Sequence, residues 1–178
     1  TLSLISMLDS PETTAENQQD ILDKVQKINR GAQKLIGDLL DLKSLEDVQK
    51  TPDFESLDLS LLLQEQIAQF KAKAGQKRIA ISFESTPESI VVRSNAGALT
   101  RIFDNLLSNA LKFSNPDTTV HVSVQLKGNQ AFFSISDQGQ GIQKEDFDKV
   151  FRKFTRLEAR PTAGESSTGL GLSIVKAL

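Results

Sequence analysis

From Ile21 onward the apolar positions Ile21, Val25, Ile28, Ala32, Leu35, Leu39 and Leu42 recur at alternating intervals of four and three. That spacing keeps one stripe of a helix apolar and defines a heptad seam, so residues 14–47 are expected to form one long helix. Ahead of it, Thr1 to Leu8 is short and mostly apolar, and Asp9-Ser-Pro-Glu-Thr-Thr supplies a turn with capping side chains. The two segments read as a helical hairpin. Two helices have too little mutual surface to bury such a seam, and each fully buried Leu or Ile contributes about 1.5–3 kcal/mol, so a second hairpin is expected, giving a dimeric four-helix bundle. The pattern alone also allows the seam to pack against the rest of its own chain.

The period then changes. Residues 49–57, with Thr51-Pro52-Asp53, break the helical pattern and read as a linker. An apolar helix is expected from about Leu59 to Ala74, then β-type runs at Ile79-Ala-Ile-Ser-Phe and Ile90-Val-Val, then a helix over about 96–113. Val120, Val122, Val124 and Leu126 alternate with His121, Ser123 and Gln125, and Lys127-Gly128-Asn129 turns the chain into Ala131-Phe-Phe-Ser-Ile-Ser, a β-hairpin. The domains expected are therefore 1–48, a helical hairpin, and 58–178, a domain mixing helices and strands: an α+β chain. It begins without Met and stops inside a helical run, Gly169 to Leu178, so it reads as a fragment cut at both ends.

Composition narrows the chemistry. At 178 residues, 38% apolar and 25% charged, the chain is ordinary globular material, and a net charge of -2 leaves no basic field for nucleic acid. Without cysteine there is no thiol catalysis or cysteine-rich zinc site. His121 is the only histidine, so a multi-histidine metal site or a histidine-based triad cannot be assembled. It shares its strand face with Ser123 and Gln125 and is expected on the surface. No apolar run approaches the roughly 20 residues of a membrane helix and no signal peptide precedes the first element, so no membrane contact is expected of this stretch itself.

Candidate chemistry lies in the second half. Asn105, Asn109 and Lys112, spaced four and three apart, stack along one helical stripe directly before Asn115-Pro116, while Ile102, Leu106, Ala110 and Phe113 form an apolar stripe expected to face a core. A carboxamide oxygen can ligate a hard Mg2+ ion without adding negative charge beside a polyphosphate, and a lysine can neutralise phosphate oxygens. Taken alone, the stripe reads first as an Asn-rich surface of an amphipathic helix. At the end of the second hairpin strand stands Asp137-Gln-Gly139-Gln-Gly141-Ile142, with Asp137 on the side of Phe133 and Ile135. A carboxylate there needs a partner, and an adenine amine is a candidate because a fixed acceptor favours adenine over guanine; the glycines let backbone approach a base closely. A strand-ending acidic turn with glycines is also common. Thr168-Gly169-Leu170-Gly171-Leu172 opens an apolar helix and offers backbone N–H groups as a phosphate seat, without the spacing of a P-loop or a dinucleotide fingerprint. Between the clusters, Thr155 to Ser167 has little apolar content and suits a mobile lid.

The order of these pieces resembles the catalytic core of bacterial sensor histidine kinases, members of the GHKL superfamily. Asn105 to Ser114 matches that family's N box, Asp137 to Ile142 its first glycine box, Phe147 to Phe154 its phenylalanine box and Thr168 to Leu172 its second glycine box. The resemblance covers about residues 58–178, and the upstream hairpin is similar to the family's dimerisation and phosphotransfer domain. It implies a Bergerat-type α/β sandwich, a mixed sheet covered on one face by helices. It implies ATP and Mg2+ as cofactors, with Asn109 on the metal, Asn105 and Lys112 near the phosphates, Phe113 beside the nucleotide and Asp137 on the adenine amine. Gly139, Gly141 and Ile142 would line the base pocket, Arg156 would reach toward the γ-phosphate, and Thr168, Gly169, Leu170, Gly171 and Leu172 would close over the phosphates.

The implied activity is that of a protein histidine kinase in a two-component system, passing the ATP γ-phosphoryl to a histidine and onward to an aspartate of a response regulator. The implied partners are a second copy through the hairpin and that regulator, with a cytoplasmic location compatible with the inner part of a membrane-bound sensor. Two features depart from the pattern: Ser166 and Ser167 stand where a further glycine is common, and the phosphoaccepting histidine and the acidic residue after it are absent, as if the chain starts just beyond them. Two alternatives are a nucleotide-binding dimerisation module without phosphotransfer and a clamp ATPase of the same superfamily. The latter generally carries a water-activating glutamate at the position of Asn105, and an amide is a poor general base.

Overall fold

The computed structural model describes residues 15–46, 53–155, 157, 161, 162, 165 and 167–178. It divides into two compact units, with the boundary after Glu46. The described part of the first unit is one helix, α1 (Ala15–Glu46), within a residue of the span expected at each end. The segment expected to precede it in a hairpin lies outside the described residues. Exposed i, i+4 pairs, Gln19 with Asp23, Lys24 with Asp20 and Arg30 with Gln26, support the polar side of α1, at about 0.2–0.5 kcal/mol each. Much of its apolar side is open: Leu22, Ile28, Leu35, Ile36, Leu39 and Leu40 are all exposed, and Ile21 is buried.

The second unit runs β1 (Glu55–Asp58), α2 (Leu59–Gln76), β2 (Ala80–Thr86), β3 (Val91–Ser94), α3 (Ala96–Phe113), β4 (Thr119–Lys127), β5 (Gln130–Ser136), a 3-10 turn (Lys144–Asp146) and α4 (Gly171–Ala177). Strand β4 is central in a three-stranded mixed sheet, parallel to β2 and antiparallel to β5; β1 and β3 form a separate antiparallel pair. The β4–β5 turn places Gly128 at φ +61°, a left-handed conformation that glycine adopts without a Cβ penalty. The sheet's inner face is the set the alternation selects. Val120, Val122 and Val124 are fully buried against Leu63 and Ile67 of α2 and Phe103, Leu107 and Leu111 of α3, with the Phe103 and Phe133 rings 6.1 Å apart. The opposite face is polar: the Ser82 hydroxyl and His121 Nδ1 lie 2.7 Å apart, and His121 is exposed as expected. Among the described residues no helix is long and apolar enough to cross a membrane.

The structure adjusts two expectations. Glu55 to Leu57, read as linker, belong to β1, whose register pairs Leu57 with Val92 and Asp58 with Val91; four residues with a single apolar side chain carry no strand period of their own. The apolar stripe of α3 is also turned by one residue. Phe103, Leu107, Ala110 and Leu111 are buried, whereas Ile102, Leu106 and Phe113 are only half-buried. Placing the apolar face directly opposite the asparagines ignores that α3 also packs against α2 and α4, which shifts the axis of burial.

Helices α2 and α3 are capped from strand ends. Asn95 Oδ1 accepts from the Ala98 N–H at the start of α3. Asp58 Oδ1 accepts from the Ser60 and Leu61 N–H groups, and its Oδ2 accepts from the Ser89 hydroxyl at 2.6 Å. The Ser89 bond first, then those of the helix N–H groups, hold the Asp58 carboxyl below its ordinary pKa. A depressed carboxyl pKa contributes stability above the unfolded-state value near 3.9 that is lost as pH falls through the folded-state value. Asp58→Ala is therefore expected to cost about 1 kcal/mol in urea denaturation at pH 7, and the gap from wild type should close as the medium is acidified below about pH 4.

Candidate functional site

The four candidate segments adjoin one another, and glycines mark the contacts. Ser114, the residue after α3, forms a β-bridge with Gly139. A Cβ built on Gly139 would lie 2.6 Å from the Phe113 carbonyl oxygen and 2.8 Å from Asp137 Oδ1, so only glycine lets the first glycine cluster reach the end of α3. Gly171 opens α4, where a Cβ would meet Asn105 Oδ1 at 2.7 Å. The second glycine cluster is thus seated on the asparagine helix. Gly169, at φ +71°, would place a Cβ 2.8 Å from both the Phe154 carbonyl carbon and the Thr155 oxygen, joining that cluster to the end of the phenylalanine segment. Lys176 Nζ adds a cation–π contact 5.6 Å from the centre of the Phe151 ring.

The individual side chains differ in what they can offer. Asn105 and Asn109 are half-buried. Asn105 Nδ2 donates to the Arg101 carbonyl, which leaves its Oδ1 directed at Gly171. The Asn109 carboxamide makes no hydrogen bond among the described residues, so its oxygen is available to a ligand. Among those residues no group of three His, Cys, Asp or Glu side chains could hold a metal ion, and an amide oxygen is itself a donor that suits a hard cation.

Lys112 is buried, with Nζ 5.5 Å from the centre of the Phe113 ring. Asp137 is exposed at the end of β5. Its Oδ1 accepts from the Gly139 N–H at 2.8 Å, and Oδ2 has no partner among the described residues. Gly141 sits at φ +70° with open space where a Cβ would stand, and Ile142 beside it is 43% exposed. An acceptor oxygen at Asp137 without a partner among the described residues, uncrowded backbone at Gly141 and the open Asn109 amide are side-chain and backbone groups that fit an adenine nucleotide carrying Mg2+.

Other expectations meet the structure differently. Leu170 is fully buried, packed inside with Ile174, so only its backbone can face a ligand. Thr168, Gly169, Gly171 and Leu172 are half-buried. Arg156 lies outside the described residues, as does much of the expected lid.

The sequence reading missed Lys77, Thr162 and Glu165. Thr162 N–H donates to the Lys112 carbonyl at 3.1 Å and its hydroxyl to the Ser114 carbonyl at 2.8 Å, fastening the inter-cluster segment to the end of α3. Lys77 Nζ donates to the Leu111 and Lys112 carbonyls and to Glu165 Oε1, joining the same helix end to that segment. A lysine at the end of an amphipathic helix looks like any solvated lysine, so no sequence signal marked it.

The chain is similar to proteins of known family and fold. The family model described as "Histidine kinase-, DNA gyrase B-, and HSP90-like ATPase" matches residues 94–178. The chain is 28% identical over 174 residues to the sensor-like histidine kinase SenX3 of Mycolicibacterium smegmatis, an alignment covering 98% of this chain and 44% of that protein. The chain therefore spans less than half the length of this relative. Two solved structures share the fold: full-length ShkA in complex with AMPPNP, with a TM-score of 0.74 at 23% identity over 96% of this chain and 35% of that one, and the histidine kinase ThkA in complex with the response regulator TrrA, with a TM-score of 0.66 at 19% identity over 87% and 44%.

Proposed function

We infer that this chain, which carries the ATPase domain of histidine kinases over residues 94–178 and whose relatives are sensor histidine kinases, transfers the ATP γ-phosphoryl group to a histidine of the full-length protein and from there to a response-regulator aspartate. The observation that carries the reading is the seating of Gly171 on Asn105 and of Gly139 on the end of α3, which gathers the amide stripe, the lone acceptor of Asp137 and the N–H-rich start of α4 around one locus.

In this reading Asp137 Oδ2 accepts from the adenine amine while its Oδ1 keeps the Gly139 N–H, and the open space at Gly141 admits the base. Asn109 would hold Mg2+, which when bound neutralises charge on the phosphate oxygens. Asn105 and the backbone of Thr168 to Leu172 would flank the phosphates, and Lys112, at the end of α3, would supply positive charge to them. Phosphoryl transfer asks for positioning and charge neutralisation and little covalent chemistry from the protein, which a set of amides, backbone N–H groups and one lysine supplies. Water activation is a different task. Asn105, whose amide cannot accept a proton at neutral pH, stands where a clamp ATPase needs a base, so the phosphoryl goes to a protein acceptor instead.

The exposed apolar side of α1 would be covered by a second copy, giving the homodimer expected of a helical hairpin of this kind, and TrrA bound to ThkA is the precedent for a response-regulator partner. The test incubates a longer chain, extended upstream through the acceptor helix, with γ-labelled ATP. Acid-labile, base-stable label that passes to a regulator aspartate is expected. Acid-stable label, or release of phosphate without protein labelling, would sink the reading.

A further inference from the structure

The end of α3 is finished by side chains from elsewhere in the second unit. The last four carbonyls of a helix have no partner within it. Ala110 O accepts from the Ser114 N–H and hydroxyl, and Phe113 O faces Gly139. Leu111 O and Lys112 O accept from Lys77 Nζ at 2.6 and 3.2 Å, and the same ammonium donates to Thr162 Oγ1 at 2.7 Å and Glu165 Oε1 at 3.1 Å. The Lys77 side chain is only 10% exposed. An ammonium has three protons, and here four oxygens surround it, two from α3 and two from the segment leading into the second glycine cluster.

We propose that Lys77 is a positioning residue for the triphosphate: it ties Thr162 and Glu165 to the last turn of α3 and so sets the second glycine cluster, three residues beyond Glu165, against Asn105. The inference rests on the nucleotide reading of the site. Three physical features favour it. A cation at a helix C-terminus meets the negative end of the dipole. The tie is short of solvent, so its charge-assisted bonds are weakly screened. Moreover, both flanks it joins belong to the phosphate end of the site, Lys112 on one side and the approach to Thr168 on the other. The adenine end, at Asp137, is carried by β5 and meets α3 through Gly139 at Phe113 and Ser114, whose carbonyls Lys77 does not contact.

That division supplies the test. The whole chain is titrated calorimetrically with Mg-ATP and, separately, with adenosine. Lys77→Met is expected to weaken Mg-ATP about tenfold, the scale of losing a charged hydrogen-bond set, while adenosine affinity stays within about twofold. Amide hydrogen exchange at Thr162, measured without nucleotide, should accelerate. Thr162→Val removes one hydroxyl at nearly constant shape and should give a smaller loss for Mg-ATP. Because both variants break one tie, the double variant should be no weaker than Lys77→Met alone.

Equal losses for Mg-ATP and adenosine would make Lys77 a mere support of the fold, and fully additive losses would dissolve the single tie; either result overturns the inference, as would unchanged Mg-ATP affinity in both variants. A wild-type chain that takes up neither ligand would instead overturn the nucleotide reading, and this inference with it.

Discussion

Asn109→Asp is expected to weaken Mg-ATP binding by about a hundredfold, the largest loss of any single substitution at the site. The change keeps size and shape but places a carboxylate beside the polyphosphate. Two unit charges about 5 Å apart at an effective dielectric near 20 repel by about 3 kcal/mol, close to two powers of ten in affinity. Asn109 is half-buried and its amide has no partner among the described residues, so no internal hydrogen bond is lost. The thermal midpoint and the oligomeric state should remain those of wild type. A carboxylate ligates Mg2+ at least as readily as an amide, so weakened nucleotide binding with metal uptake retained would identify charge as the cause. An unchanged titration would remove Asn109 from the site.

Asp137→Asn should cost nearly as much and carry a second signature. The variant can still accept from the Gly139 N–H through its remaining oxygen, so the turn into the first glycine cluster survives. The amide nitrogen then stands where Oδ2 stood and presents a donor to the adenine amine, itself a donor. Losing a charge-assisted hydrogen bond costs about 1.5–3 kcal/mol, roughly tenfold to a hundredfold in ATP affinity. Guanine offers a carbonyl at that position, so the preference for ATP over GTP should narrow or invert. Fluorescence titration with both nucleotides would show this, and a variant that loses ATP and GTP affinity alike would point to a collapsed turn instead of a lost base contact.

The local elements were legible because each obeys a short-range rule. The period-two run of Val120, Val122 and Val124 identified both the strand and its buried face, and the same count put His121 on the surface. The caps at Asn95 and Asp58 were not singled out, although each is a signal contained within three residues. The order of the asparagine helix, the two glycine clusters and the phenylalanine segment was enough to suggest a nucleotide site. Strand β1 was missed because its pairing with β3 depends on residues more than thirty positions away. The rotated face of α3 was missed because a helix between two neighbours buries a wider sector than its own pattern specifies.

What the sequence determined by itself was therefore the inventory: most of the helices and strands, the apolar face of β4, and which amides, glycines and carboxylates are present to meet a nucleotide. Only the tertiary structure decided their company. It set Gly171 against Asn105, brought Gly139 to the Phe113 carbonyl, buried Lys112, and turned Lys77 inward to four oxygens drawn from two distant parts of the chain. Periodicity and capping are properties of neighbours along the chain, whereas close approach and charge pairing depend on how packed elements fill space.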